Sequence, residues 1–470
     1  IKQQRKSQHD NPKWKGLNTM DFGKDFIWGA ATSSYQIEGG AYEDGKGLNI
    51  FDTFCKIPGR INNFDNGDVA CDHYHKWKED IALMKEIGLK AYRFSINWAR
   101  IIPDGTGKVN PKGIEFYNNI IDELLRNGIE PFITLYHWDL PLELDKRGGW
   151  RNPDIVKWFY NYAKVVAENF SDRVKNFMTI NEPEVILGLG YHDGRIAPGL
   201  KLTVDDLLAA AHNLLKAHGA AVVALRTYAK QSLKIGYTPC YNMNMPATDT
   251  PEDIEAARKS MFSFDKPELA IASLVWYNDP IFFGKYPERE LAICEPYMPK
   301  FTDSDMKLIS QPIDFTGHNV YWGHKVAADG DAPKIVSDPG GFLNAPYHWP
   351  VTPDCLYWGT KFIYDRYKKP IIISENGKSC HDEIAADGHI HDTERIDYIN
   401  GYLKRLKKSI SEGTEVAAYF YWSLMDNFEW AYGYTERFGL IHVDYETQKR
   451  TLKDSALRYS EIIRNNGSDI

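Results

Sequence analysis

Eight short runs of β-branched, aromatic and apolar residues recur along the chain, and stretches with helical spacing separate them. This alternation limits the fold more than any other feature. The runs are FIWGAA from Phe26, AYRFSI from Ala91, EPFITLY from Glu130, NFMTI from Asn176, KIGYT from Lys234, DFTGHNVY from Asp314, PIIIS from Pro370 and VAAYFYWS from Val416. Between and after them, apolar residues return every three or four positions over Lys76–Ile87, Lys112–Asn127, Asp154–Phe170, Asp205–Tyr228, Cys355–Tyr367, Thr393–Ser411 and Leu452–Ile463, with further helix within 251–307. Strands alternating with helices imply a parallel sheet, and eight such units close into a barrel. No Gly/Ser-rich or Pro-rich linker and no fixed-period repeat divides the 470 residues. The expected fold is therefore α/β: one (β/α)8 TIM-barrel domain over residues 21–470, preceded by residues 1–20 as a basic, polar N-terminal extension or cloning remnant.

Composition narrows the partners. The chain is 43% hydrophobic and 26% charged, enough to bury a large core. Its net charge of −8, with no long basic run, argues against nucleic acid or an anionic membrane as partner. The first twenty residues lack the apolar core of a signal peptide, and no 18-residue apolar run occurs. Cys55, Cys71, Cys240, Cys294, Cys355 and Cys380 show neither C-x-x-C nor zinc-like spacing, so free buried thiols in a reducing, cytoplasmic compartment are expected. His381, His389 and His391 with Asp382 and Asp392 have spacing that suits no standard metal site, and no metal is expected.

Two of the strand-like runs end on a carboxylate beside an asparagine: TINEP from Thr179 and IISENG from Ile372. In a parallel barrel the C-terminal ends of all strands face one mouth, so Glu182 on the fourth strand and Glu375 on the seventh converge despite their separation in sequence. A lone glutamate at a strand end more often caps the strand or pairs with arginine. Two of them, each flanked by Asn in a barrel with 13 tryptophans, instead fit glycoside hydrolysis, in which one carboxyl protonates the departing oxygen and the other attacks or activates water.

From Phe22 to Ile462 the chain also resembles glycoside hydrolase family 1, the β-glucosidase group. The matching motifs, in order, are FIWGAATSSYQIEG from Phe26, YRFSINWARI from Tyr92, YHWDLP from Tyr136, TINEP, APG from Ala197, ENG from Glu375, WSLMDNFEW from Trp422 and RFGL from Arg437. The resemblance implies a retaining β-glycosidase with Glu182 as acid/base, Glu375 as nucleophile and Arg93 as the cation supporting it. The two carboxyls would then stand roughly 5 to 5.5 Å apart. It implies that Gln36, His137, Trp138, Asn181, Glu429 and Trp430 bind the nonreducing sugar over a Trp422 platform. Asn319 and Tyr321 would brace the nucleophile, and Trp349 would face the aglycone.

The same resemblance sets the expected substrate. Members that cleave 6-phosphorylated sugars carry Ser, Lys and Tyr where this chain has Glu429, Glu436 and Phe438. Two carboxylates repel a phosphate, so an unphosphorylated β-D-glycoside or oligosaccharide is expected. β-Glucosides come first, with β-galactosides and β-fucosides tolerated and no cofactor required. Lys378, Ser379, Glu184 and Val320 depart from the common pattern and bear on aglycone preference and pH optimum. A transglycosylating enzyme and a catalytically silent sugar-binding relative are the alternatives, and assembly into a homo-oligomer stays open.

Overall fold

A computed structural model describes residues 22–330, 332–336 and 349–470. The N-terminal extension at 1–20 lies outside the described residues. Each of the eight expected runs forms a strand: β1 (Ile27–Ala31), β2 (Ala91–Ser95), β3 (Glu130–Tyr136), β4 (Asn176–Asn181), β5 (Lys234–Thr238), β6 (Thr316–Asn319), β7 (Ile371–Asn376) and β8 (Val416–Trp422). They are hydrogen-bonded in the order β5-β4-β3-β2-β1-β8-β7-β6, every pair parallel. β5 and β6 bring the ends of this order together. There Asp314 N donates to Ile235 O at 2.7 Å and Asn319 N to Pro239 O at 3.0 Å, while Asp314 Oδ2 accepts from Ile235 N at 2.8 Å. β6 is shorter than the run that predicts it: Asp314 and Phe315 ahead of it and Val320 and Tyr321 after it lie outside the strand, and the Asp314 carboxylate accepts from Ile235 N at the joint.

The expected helices follow: α1 (His73–Ile87), α2 (Pro111–Arg126), α3 (Ile155–Phe170), α4 (Val204–Tyr228), α5 (Asp354–Tyr367), α6 (Thr393–Ser411) and α7 (Asp454–Arg464). Local chemistry sets their ends. Asn110 accepts from Lys112 N ahead of Pro111, whose missing N–H costs nothing in the first turn, and Gly88 stops α1 at φ 87°. Among the described residues α4 is the helix long and apolar enough to cross a membrane, but 83% of that stretch is buried against the rest of the molecule.

Inside the barrel, large and small residues interlock. Phe132, Met178, Phe315, Ile372 and Phe420 form a cluster with Ala31, Ala91, Ala418, Trp422 and Phe438. Gly29 and Gly236 make room for it: a Cβ on Gly29 would stand 2.5 Å from the Phe420 ring, and one on Gly236 would stand 2.3 Å from the Phe315 ring. This packed interior closes the barrel floor, so the open space lies at the C-terminal ends of the strands.

Several features among the described residues lie outside the sequence expectation, short helices such as Ile50–Phe54 and Leu142–Lys146 among them. A π-helix over Ile186–His192 follows β4, an antiparallel hairpin (Lys325–Asp329 with Ala332–Val336) follows β6, and a short antiparallel pair (Ile441–Val443 with Arg450–Leu452) follows β8. The last carries a buried ionic cluster. Lys453 reaches Asp382 at 2.5 Å and Asp426 at 2.6 Å, Arg437 reaches Asp426 at 2.6 Å, and Arg395 pairs with Asp382 and Asp392.

Candidate active site

All eight strands contribute to one cavity of about 590 Å³ or to the wall behind it. His137, Trp138, Glu182, Tyr321, Trp349, Glu375, Trp422, Glu429, Trp430 and Phe438 line it. The other expected residues, Gln36, Arg93, Asn181 and Asn319, are fully buried behind those that line it.

Arg93 organises that wall. Rising from β2, it donates Nη1 to Glu375 Oε1 at 2.6 Å and Nη2 to Asn181 Oδ1 at 2.6 Å, with Nε held by Thr134 Oγ1 at 3.1 Å. Tyr321 Oη donates to the second oxygen of Glu375 at 2.6 Å. Asn319 connects the two carboxyls. Its Nδ2 donates to Glu182 Oε1 at 2.5 Å and to Asn181 Oδ1 at 3.1 Å, and its Oδ1 accepts from Ser374 Oγ at 2.8 Å. Asn181 Oδ1 thus already accepts two donors, so its Nδ2 faces His137 Nε2 at 3.2 Å. That imidazole nitrogen accepts, which leaves the ring proton on Nδ1.

Burial and neighbouring charge separate the two carboxyls. Burial is the larger cause lifting the Glu182 carboxyl to about 8, and the charge of Glu375 adds to it against Asn319 and Arg93. Burial also raises Glu375, but Arg93 and the Tyr321 hydroxyl oppose it directly. When the pair holds one proton, Glu182 carries it. Burial, and then the charges of Glu375, Glu436 and Glu182, hold Glu429 well above the usual carboxylate range against a bond from Gln36. Burial and Arg93 keep His137 neutral.

Backbone strain gathers at the same place. Trp138 (φ 77°), Glu182 (φ 50°) and Trp430 (φ 48°) all adopt the left-handed region that side chains larger than glycine avoid. For Glu182 this turns the chain sharply from β4 into the π-helix and presents its carboxyl to the cavity. Aromatic rings enclose the space: Trp138 and Trp430 lie 4.4 Å apart, His137 and Trp422 stack at 5.8 Å, and Trp349 packs on Tyr321 at 5.0 Å.

Sequence reasoning missed several contributors. Ser374 and Thr134 orient Asn319 and Arg93, Asn427 holds Gln36, and Cys240 lines the cavity after β5. Cys240 is thus partly exposed rather than buried, because the cavity opens beside it; the other five cysteines are free and buried as expected. None of Ser374, Thr134 and Asn427 left a signal of its role in the sequence, because each acts on a side chain brought to it by another strand or loop. The departures from the family pattern lie outside the cavity lining. Lys378 pairs with Glu394 at 2.6 Å, and Glu184 is buried with its Oε2 accepting from Cys240 N at 3.2 Å. The histidine-rich stretch after β7 is tied up in ion pairs, His391 with Asp387 and Asp454, and Asp382 and Asp392 with Arg395.

Comparison with known proteins matches this arrangement. The sequence model of glycosyl hydrolase family 1 spans residues 18–468. Beta-glucosidase A of Thermotoga maritima is 46% identical over 453 residues, 96% of this chain and 99% of that protein. Beta-glucosidase A of Acetivibrio thermocellus is 45% identical over 461 residues, 96% of this chain and 100% of that one. The solved structure of the Thermotoga maritima family 1 β-glucosidase in complex with glucoimidazole superposes with a TM-score of 0.87 at 44% identity, covering 96% of this chain and 100% of that chain. On a match over nearly its whole length, in sequence and in fold alike, this chain belongs to glycosyl hydrolase family 1.

Proposed function

We propose that the protein is a retaining β-glucosidase that releases the nonreducing sugar of unphosphorylated β-D-glycosides. The observation that carries this reading is the asymmetric carboxyl pair, Glu182 raised to about 8 and Glu375 held by Arg93 and Tyr321 at one cavity. In the first step Glu375 attacks the anomeric carbon as the bond to the leaving oxygen breaks, and Glu182 gives that oxygen its proton. The glycosyl ester on Glu375 no longer carries the charge that helped hold the proton on Glu182. Glu182 then takes a proton from water, the water oxygen attacks the same carbon, and the ester bond to Glu375 breaks. Two displacements restore the original configuration.

The rest of the site serves that chemistry. Trp422 offers a ring face to the apolar side of the sugar, while Gln36, His137, Trp138, Asn181, Glu429 and Trp430 provide the polar edge. Burial pushes the Glu429 carboxyl well above its usual range, which favours the protonated form that can donate as well as accept. Glu429 beside Glu436, with no cation in the place of either, suits a free 6-hydroxyl rather than a phosphate. Its relatives named 1,4-beta-D-glucan glucohydrolase, from Thermotoga neapolitana, add short β-glucans to the candidate substrates. A cytoplasmic location is part of the proposal, supported by the free thiols among the described residues.

The test is NMR of the first-formed sugar during hydrolysis of nitrophenyl β-glucoside, β-galactoside and 6-phospho-β-glucoside. The expected result is β-glucose first, with slower galactoside turnover. Release of the α-anomer, or turnover of the phosphorylated compound alone, would overturn the assignment.

A further inference from the structure

The chemistry above accounts for the buried part of the cavity but not for its outer wall. Two loops supply the charged groups of that wall, the one after β1 carrying Arg60 and the one beyond the π-helix carrying Asp193, Arg195 and Lys201, and Ala431 and Tyr432 after β8 complete it. Arg60 Nη1 donates to Gly194 O at 2.9 Å and its guanidinium lies 5.3 Å from the Phe54 ring, so its cation is fixed at the mouth and joins the loops. Asp193 is the carboxylate of this outer wall, and Arg195 occupies it at 2.7 Å. Arg60 and Lys201 are exposed and have no carboxylate partner among the described residues.

Among the described residues the mouth therefore holds two cations that no carboxylate pairs, on a chain whose net charge is −8. Anions are repelled by the protein at large and drawn to this opening. Val185, Leu189 and Trp349 line the same cavity and give an aromatic leaving group apolar surface to lie on.

We infer that the outer cavity is an anion-selective leaving-group site, which takes aryl β-glucosides whose aglycone bears a carboxylate, with Arg60 and Lys201 as the residues that determine this specificity. The inference rests on the β-glucosidase reading and adds the substrate class to it. A cation within about 4 Å of a carboxylate in a solvated setting is worth about a fivefold preference, and salt weakens it.

The experiment compares kcat/KM for the β-glucosides of 4-hydroxybenzoate and of its methyl ester, which share an aromatic body and differ in charge. It uses wild type, Lys201→Gln and Arg60→Gln. The acid-to-ester ratio cancels the leaving-group chemistry when proteins are compared. Each variant is expected to lower that ratio about fivefold, chiefly through KM, while ester turnover moves less than about twofold. In wild type, raising sodium chloride from about 0.02 to 0.5 M is expected to lower the ratio as well. Lys201→Gln guards against a folding artefact, since Lys201 makes no ion pair among the described residues, and ester turnover reports an intact site. An unchanged ratio in both variants with normal ester hydrolysis would overturn this inference and leave the β-glucosidase reading standing. Failure of wild type to hydrolyse the ester would overturn both.

Discussion

At the scale of single residues, the charge states of Glu182 and Glu375 decide the chemistry. Glu182→Gln removes the proton donor, and turnover of an alkyl β-glucoside is expected to fall by about 10²–10⁴. A dinitrophenyl β-glucoside, whose phenolate leaves without a proton, should keep a rapid first burst under stopped-flow while steady turnover collapses, because the second step still needs a base. In wild type the alkaline limb of kcat/KM is expected near about 8, where Glu182 loses its proton. Stability carries the same mark. Because the folded state holds this proton more tightly than the unfolded chain, its stabilisation is full below the ordinary value of 4.5 and lost by about 8. Relative to Glu182→Gln, the wild-type Tm should therefore fall as pH rises across that window in scanning calorimetry. Both glutamates were legible in the sequence because each ends an apolar run beside Asn. Ser374 and Thr134, which orient the groups around them, were not: their partners come from other strands, and only the closed barrel brings them together.

At the scale of elements, the alternation of periods reveals every barrel strand and the helices between them, since strand and helix spacing differ and each segment is long enough to display its own. The left-handed turns at Trp138, Glu182 and Trp430 leave no such trace, because a strained backbone depends on tertiary packing to hold it. The π-helix after Glu182 is hidden for the same reason: its residues, ILGLGYH, carry no spacing that marks a helix of any kind. The fit of small against large inside the barrel is also invisible without the register. Gly236 sits on β5 with the Phe315 ring where its Cβ would go. Gly236→Ala must push that ring aside, and a loss of about 1–3 kcal/mol is expected from the shift in urea midpoint at unchanged slope.

At the scale of the whole molecule, two features of the framework govern integrity. The first is the buried ionic cluster that fastens the segment entering α7 to the loops after β7 and β8. Lys453 is fully buried between Asp382 and Asp426, and Lys453→Met leaves those carboxylates short of a cation. A loss of about 3–5 kcal/mol is expected by denaturant titration. Burial works to raise Asp426, but Lys453 and Arg437 outweigh it and hold the group below its ordinary 3.8. Its contribution is therefore present above that value and lost as the solution is acidified below it, so wild type should lose in acid part of the advantage it holds over Lys453→Met. The second is the joint between β5 and β6, where seven laddered neighbours elsewhere around the ring give way to a few bonds near the strand ends. A wall that is stitched all round except along one line breathes along that line. In native-state hydrogen exchange the amides of Asp314 and Asn319 should trade their protons before those of β1 and β8, and that slit would give solvent its easiest way into the packed heart of the enzyme.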